Sequence, residues 1–247
     1  MNTSRVAPLE AAREVMDGRY AGARALFLAG SVMRGEATAA SDLDLVVVYE
    51  RLPNAYRESF IHAGWPVEAF VHDPETLEHF FGMDARRGVP SLMSMVAEGV
   101  EVPEASEFSA RLKRRAGRWL EAGPPRWDEA ELTLRRYQLT DWVDDMRFHR
   151  SPEELVATGA YLYQDAADFY FRSRGLWSAH SKTIPRRLRL TDADFAERFA
   201  RAFDALFAEK RVEPVVALVG EILEPFGGPL FEGYRREAPP ESRDVGR

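Results

Sequence analysis

Two short apolar runs, separated by a small polar segment, constrain the fold of this 247-residue chain most strongly. The first run, ALFLA, ends at Gly30 and Ser31, and the second run, LVVV, follows Asp42 and Asp44. Because alternate residues of a strand point to the same face, Asp42 and Asp44 present two carboxylates side by side at the head of a buried strand. The pattern therefore predicts a sheet with an acidic pair at one end of a strand.

The acidic pair and the Gly-Ser pair together predict a site for a metal ion and phosphate groups. Two neighbouring carboxylates need a cation, and Mg²⁺ takes one or two protein carboxylates while water and phosphates supply its other ligands. Gly30 permits a tight turn, and the backbone N–H groups of that turn can hold phosphate oxygens together with the Ser31 hydroxyl. Either pair alone is more often an ordinary turn or loop, but their order along the chain predicts a nucleoside triphosphate site.

The order Gly-Ser, spacer, Asp-x-Asp resembles the signature of the polymerase-β-like nucleotidyltransferase superfamily. Its members with a helical second domain, of the kanamycin and streptomycin type, are the most similar. In that family a third carboxylate comes from a later strand, and here the run WPVEAFVHD supplies Glu68. The resemblance implies three catalytic residues that hold two Mg²⁺ ions, namely Asp42, Asp44 and Glu68. It also implies that ATP is the donor and that Gly30 and Ser31 bind the nucleotide.

Composition restricts the partners that we expect. The net charge is −7, and the excess lies in residues 1–105, which carry 9 basic and 16 acidic side chains. An acidic catalytic half disfavours nucleic acid and favours a small cationic acceptor. The sequence has no apolar run long enough to span a membrane and no signal peptide at its start, so we expect a cytoplasmic protein without a membrane partner. With no cysteine, there is no thiolate nucleophile.

The pattern along the chain predicts an α+β protein in which a small mixed sheet flanked by helices precedes a helical bundle. We place the nucleotidyltransferase domain at residues 1–105, the helical domain at 106–247 and a flexible tail at 237–247. The predicted elements of the first domain are helix 8–20, strands 25–30, 42–49 and 66–72, a helix near 56–63 and a helix that starts after Asp73. The predicted helices of the second domain are 108–121, 127–149, 151–174, 192–210 and 212–226.

The helical half offers candidates for substrate binding. Lys182 lies in a basic loop that resembles the region where related enzymes place a lysine against the triphosphate, although a solvated basic loop is an equal alternative. Asp141 and Asp145 share a predicted helix face with Gln138 and are candidates for binding an acceptor's ammonium groups. A solvated helix face is the commoner explanation of such a cluster. The histidines show no spacing typical of zinc ligands.

We therefore expect transfer of a nucleoside monophosphate, AMP from ATP, to a hydroxyl of a small acceptor, with release of pyrophosphate. An aminoglycoside is the leading acceptor. One alternative is an enzyme that adenylylates a protein, as in toxin–antitoxin pairs, although such catalytic units usually lack a fused helical domain. Another is a nucleotide-binding regulator without turnover, which would usually have lost one of the carboxylates.

Overall fold

The computed structural model describes residues 5–238 and separates the chain into two units, Met1–Pro124 and Pro125–Arg247. The boundary lies later than the predicted one at 105/106. The difference is a single helix, Glu107–Ala122, which packs against two helices of the first unit and belongs to it. Of the predicted flexible tail, residues 239–247 lie outside the described residues.

The first unit contains a five-stranded sheet and five helices among its described residues. Its strands are β1 (Ala25–Ala29), β2 (Leu43–Val48), β3 (Tyr56–His62), β4 (Trp65–His72) and β5 (Val100–Val102). Its helices are α1 (Pro8–Arg19), α2 (Gly30–Met33), α3 (Pro74–Arg87), α4 (Ser91–Glu98) and α5 (Glu107–Ala122). The spatial order is β3-β4-β2-β1-β5, in which β2 and β4 are parallel and the other pairs antiparallel. The sheet is therefore mixed, and the α+β prediction is confirmed.

Apolar side chains along the central strands point alternately to the two faces of the sheet, and both faces are buried. One face packs with α1 into a core that includes Leu26, Leu28, Leu43, Leu45, Val47, Val67, Ala69 and Val71. Phe27 and Val46 point to the opposite face, where α4 packs against β1 and β2. Asp44 and Glu68 lie on this second face as neighbours on β2 and β4, because they alternate with Leu43, Leu45 and Val67.

The predicted helix near Tyr56–Ala63 is wrong, because this segment forms strand β3. β3 pairs antiparallel with β4 through a turn at Ala63 and Gly64, both of which have positive φ angles, 46° and 81°. Such a two-residue turn connects twisted strands in a hairpin. β3 is an edge strand whose side chains alternate between exposed and half-buried, so its residues lack the continuous apolar run that marks the other strands.

The predicted start of α3 after Asp73 is confirmed, and Asp73 is the N-cap of this helix. Asp73 Oδ1 accepts a hydrogen bond of 2.8 Å from the Thr76 backbone N–H, and Thr76 Oγ1 accepts one of 2.9 Å from the Asp73 N–H. Pro74 occupies the first helical turn, where the missing N–H costs nothing.

The described part of the second unit is helical. Its helices are α6 (Glu129–Arg147), α7 (Pro152–Arg172), α8 (Ile184–Thr191), α9 (Ala193–Glu209) and α10 (Glu213–Leu223), with short 3₁₀ turns at Ser181–Thr183 and Glu224–Phe226. Four apolar residues on α9, spaced three or four positions apart, are buried, namely Phe195, Phe199, Phe203 and Leu206. No helix within residues 5–238 is both long and apolar enough to cross a membrane.

Candidate active site in the amino-terminal unit

Three carboxylates predicted from two segments of the chain meet beside the start of β2, on the adjacent interior strands β2 and β4. Asp42 precedes the first residue of β2, Asp44 is its second residue, and Glu68 lies on β4. The parallel register places Asp44 directly beside Glu68. One oxygen from each carboxylate lies within 4.8 Å of the other two, and all three residues are half-buried. The structure thus brings together the predicted metal ligands.

This donor set fits a hard divalent cation. Carboxylate oxygens are the ligands that Mg²⁺ prefers, and the other positions around such an ion are left for water and substrate phosphates. Partial burial reduces screening by water, so three nearby negative charges attract a cation strongly. Asp42, Asp44 and Glu68 are therefore the residues that would hold the metal.

Gly30 fits directly against one of these carboxylates. Its φ angle is +82°, a left-handed conformation that glycine adopts without strain. The three atoms nearest to a Cβ built on Gly30 all belong to Asp44, and the closest, Oδ2, would overlap it. Gly30 therefore gives the Asp44 carboxylate the space that it occupies, in addition to allowing the turn into α2.

Ser31 is tied to the loop that leads to the acidic pair. The Ser31 hydroxyl donates to Ser41 Oγ at 3.2 Å, and the same Ser41 oxygen accepts the Thr38 backbone N–H at 2.8 Å. Ser41 is only 8% exposed, so the loop closes over its hydroxyl. The predicted phosphate-binding role of Gly30 and Ser31 stays a prediction, but both residues directly follow β1, whose last residue pairs with Asp44.

Arg5, which the sequence did not identify, binds backbone oxygens of the loop that leads to Asp42 and Asp44. Its guanidinium donates to the backbone oxygens of Ala39, Ser41 and Gly64 at 2.9, 3.2 and 3.1 Å. It also lies over the Trp65 ring, 4.4 Å from the ring centroid. No motif marks this arginine, because its partners are backbone atoms far away in the sequence.

A second arginine that the sequence did not identify contacts the triad itself. Arg57, on the edge strand β3, donates from Nη2 to Glu68 Oε2 at 2.6 Å. The side chains of Arg57 and Glu68 are 56% and 32% exposed. The segment around Arg57 was predicted to be a helix, and that error hid its position opposite β4.

The predicted residues of the second unit lie on its surface. Lys182 is exposed in the 3₁₀ turn before α8. Asp141 and Asp145 are exposed on α6, and the pKa of Asp141 is raised by partial desolvation and by the nearby carboxylates of Asp145 and Asp144. Gln138 is half-buried and differs in this respect from the two aspartates with which it was expected to share a face. The binding roles of Lys182, Asp141 and Asp145 stay predictions.

Gln138 lines a small polar cavity between α6 and α7. The cavity has a volume of about 10 Å³ and is lined by Arg135, Gln138, Leu139, Asp165, Asp168 and Phe169. Gln138 Oε1 is buried and has no hydrogen-bond partner. Burial raises the pKa of Asp165, which accepts a hydrogen bond of 2.9 Å from the Trp142 indole. A cavity of this size holds one water molecule or one group of similar size.

Comparison with known proteins supports the assignment of the first unit. Residues 9–81 match the family model of the nucleotidyltransferase domain, and this range includes Gly30, Ser31 and all three carboxylates. The amino-terminal unit carries a nucleotidyltransferase domain. The predicted enzyme class, nucleotidyltransferase, is thereby confirmed.

The comparisons with solved structures and with curated proteins give a weaker similarity or none. The fold is similar to a crystal structure of a nucleotidyltransferase-like protein from Exiguobacterium sibiricum, with 16% sequence identity and a TM-score of 0.44. That similarity covers 87% of this chain and 74% of the other. A search of curated proteins gave no significant match.

Proposed function

We propose that this protein transfers AMP from ATP to a hydroxyl of a small cationic acceptor, such as an aminoglycoside, with release of pyrophosphate. The observation that carries this proposal is the meeting of Asp42, Asp44 and Glu68 within a nucleotidyltransferase domain. A cytoplasmic location, where ATP is available, and the absence of nucleic-acid and membrane partners are parts of the same proposal.

In this proposal the three carboxylates bind the magnesium and orient the substrates. Mg²⁺ supplies charge neutralisation on the triphosphate and lowers the pKa of the attacking hydroxyl. Asp42 and Asp44 would hold one metal ion, and Glu68 would contribute a ligand to a second one, which together would neutralise charge on the triphosphate and activate the acceptor hydroxyl. Gly30 and Ser31 orient the phosphates at the turn after β1, and Lys182 contributes a positive charge toward the leaving pyrophosphate.

Charge supports a cationic acceptor. The acidic excess of residues 1–105 attracts cations to the catalytic half of the chain. In the second unit, Asp141 and Asp145 present exposed carboxylates on α6. These groups can recognise the amines of an aminoglycoside.

The experiment is an assay of pyrophosphate release with ATP and Mg²⁺ and a panel of acceptors. The panel contains aminoglycosides, neutral polyhydroxyl compounds and a protein extract, and the Asp42→Asn variant is the control. We expect turnover with an aminoglycoside and a loss of roughly a hundredfold or more in Asp42→Asn, because a metal ligand is removed.

The acceptor classes distinguish the alternatives. Activity only on a neutral compound or only on a protein contradicts an aminoglycoside as the acceptor but still supports nucleotidyl transfer as the reaction. ATP binding without turnover on any acceptor indicates a nucleotide-binding regulator. Near-normal turnover in Asp42→Asn contradicts the assignment of the metal ligands.

A further inference from the structure

One carboxylate of the triad is already paired with a cation that belongs to the protein. Arg57 Nη2 lies 2.6 Å from Glu68 Oε2, the distance of a short, charge-assisted hydrogen bond. The guanidinium also lies over the Phe70 ring, 4.8 Å from its centroid. Arg57 faces Phe70 across the β3–β4 ladder, so the side chain reaches diagonally along the sheet from there to Glu68.

The position of the pair brings it into conflict with a bound metal. The Glu68 carboxylate also contributes an oxygen to the triad whose members lie within 4.8 Å of one another. A divalent ion on that carboxylate would lie only roughly 5–6 Å from the guanidinium, given metal–oxygen distances of about 2 Å. Two cations at such a distance repel each other, and the half-buried site screens this repulsion less than bulk water does.

We infer that Arg57 is the counter-cation of the acidic triad and competes with the divalent metal for Glu68. This inference rests on the proposed function, since it concerns the metal site of the same reaction. Arg57 acts on the metal site only through Glu68 and is not itself a catalytic residue. In the metal-free protein it neutralises one of three clustered negative charges, and it lowers the affinity of the site for a metal.

The structure favours arginine for this role. The planar guanidinium stacks on an aromatic ring and donates to a carboxylate at the same time, whereas an ammonium group is a compact point charge. Because Arg57 lies on an edge strand and its side chain is 56% exposed, its replacement alters the charge of the site without removing core packing.

The test measures Mn²⁺ binding to the nucleotide-free, full-length protein by the electron paramagnetic resonance signal of the free ion. The variants are Arg57→Gln, Arg57→Lys and a matched control, Arg24→Gln. Arg24 pairs with Glu50 at 2.6 Å in the same unit and is similarly exposed, 54%. We expect Arg57→Gln to bind Mn²⁺ about tenfold more tightly than the wild type, because one positive charge near the ion is lost. Arg57→Lys should return toward the wild-type affinity.

A double variant shows whether the effect passes through Glu68. In a Glu68→Gln background, the Arg57→Gln change should no longer tighten Mn²⁺ binding, because the carboxylate for which both cations compete is absent. An Arg57→Gln affinity equal to that of Arg24→Gln contradicts the competition. Weaker binding in Arg57→Gln also overturns it, because Arg57 would then orient Glu68 for the metal. A wild type that binds no Mn²⁺, with or without ATP, contradicts the proposed function and this inference with it.

Discussion

Replacement of Gly30 by alanine tests whether the missing side chain of Gly30 is what leaves space for the Asp44 carboxylate. In Gly30→Ala the new methyl group would overlap Asp44 Oδ2, with Asp44 Cγ at 3.0 Å and Cβ at 3.2 Å. Either the turn opens or the Asp44 carboxylate moves. A displacement of about 1 Å in a catalytic arrangement costs roughly a hundredfold in rate, which corresponds to about 2.7 kcal/mol.

A matched variant controls for backbone strain. Gly35 lies in the same connection between β1 and β2 and also has a positive φ angle, +72°, but a Cβ there meets nothing within 4 Å. Both substitutions should lower the free energy of unfolding by about 1–2 kcal/mol, the cost of the left-handed conformation for a residue with a Cβ. Only Gly30→Ala should also disturb Asp44.

The assay combines chemical denaturation, Mn²⁺ binding without nucleotide and pyrophosphate release. We expect Gly30→Ala to lose roughly a hundredfold in kcat/KM and to bind Mn²⁺ more weakly, while Gly35→Ala stays within about twofold of the wild type in both. Because the Mn²⁺ measurement contains no ATP, a defect there cannot arise from lost phosphate contacts. Equal Mn²⁺ affinity and equal turnover in the two variants would refute the reasoning.

Three further predictions concern other parts of the chain. Burial lowers the pKa of His72 from 6.5 to about 4, so the unfolded chain takes up a proton that the folded protein excludes as the pH falls through this range. The free energy of unfolding should therefore decrease by up to roughly 3 kcal/mol between pH 6.5 and pH 4, and His72→Phe should flatten this dependence in denaturation curves. Lys182→Met should lower kcat with little change in the KM for the acceptor. An unchanged rate at saturating substrates would show that Lys182 does not stabilise the leaving pyrophosphate. With an aminoglycoside acceptor, kcat/KM should fall as salt rises to physiological strength, where the screening length is about 8 Å. The double variant Asp141→Asn with Asp145→Asn should make kcat/KM less dependent on salt. If the double variant shows the same salt dependence as the wild type, neither aspartate attracts the acceptor.

The acidic pair was predictable because its geometry is local. Asp42 and Asp44 are two residues apart at the head of a strand, and the alternation of side chains alone places them on one face. The addition of Glu68 depended on the resemblance to a family, because a sequence does not reveal that β2 and β4 are parallel neighbours. The register that aligns Asp44 with Glu68 is a property of the assembled sheet.

Helix α4 was not predicted because its N-terminus is capped from a distance. The residue at its N-cap is Pro90, which makes no side-chain cap. Instead the buried carboxylate of Asp84, on α3, accepts the Leu92 backbone N–H at 2.7 Å and the Arg87 guanidinium at 2.6 Å. Start signals of helices are sought in adjacent residues, so a cap from the preceding helix leaves no local pattern.

Edge strand β3 was mistaken for a helix for a related reason. Its side chains alternate between exposed and half-buried, but both sets contain polar and apolar residues, such as Glu58 with Phe60 and Arg57 with Ile61. Hydrophobic periodicity is therefore weak, and pairing with β4 decides the conformation. The same error removed Arg57 from consideration as a neighbour of Glu68.

The triad of Asp42, Asp44 and Glu68 runs against the residue preferences of strands and against charge repulsion. Aspartate is disfavoured in strands, and three carboxylates this close repel one another when no cation is bound. The chain retains this arrangement on two interior strands of an otherwise well-packed sheet, with Gly30 leaving space for Asp44 and Arg57 neutralising Glu68. Sites that break the rules obeyed by the surrounding structure are those at which function outweighs stability. A divalent ion would remove the repulsion, so metal binding and stability of the folded first unit are coupled in the proposed enzyme.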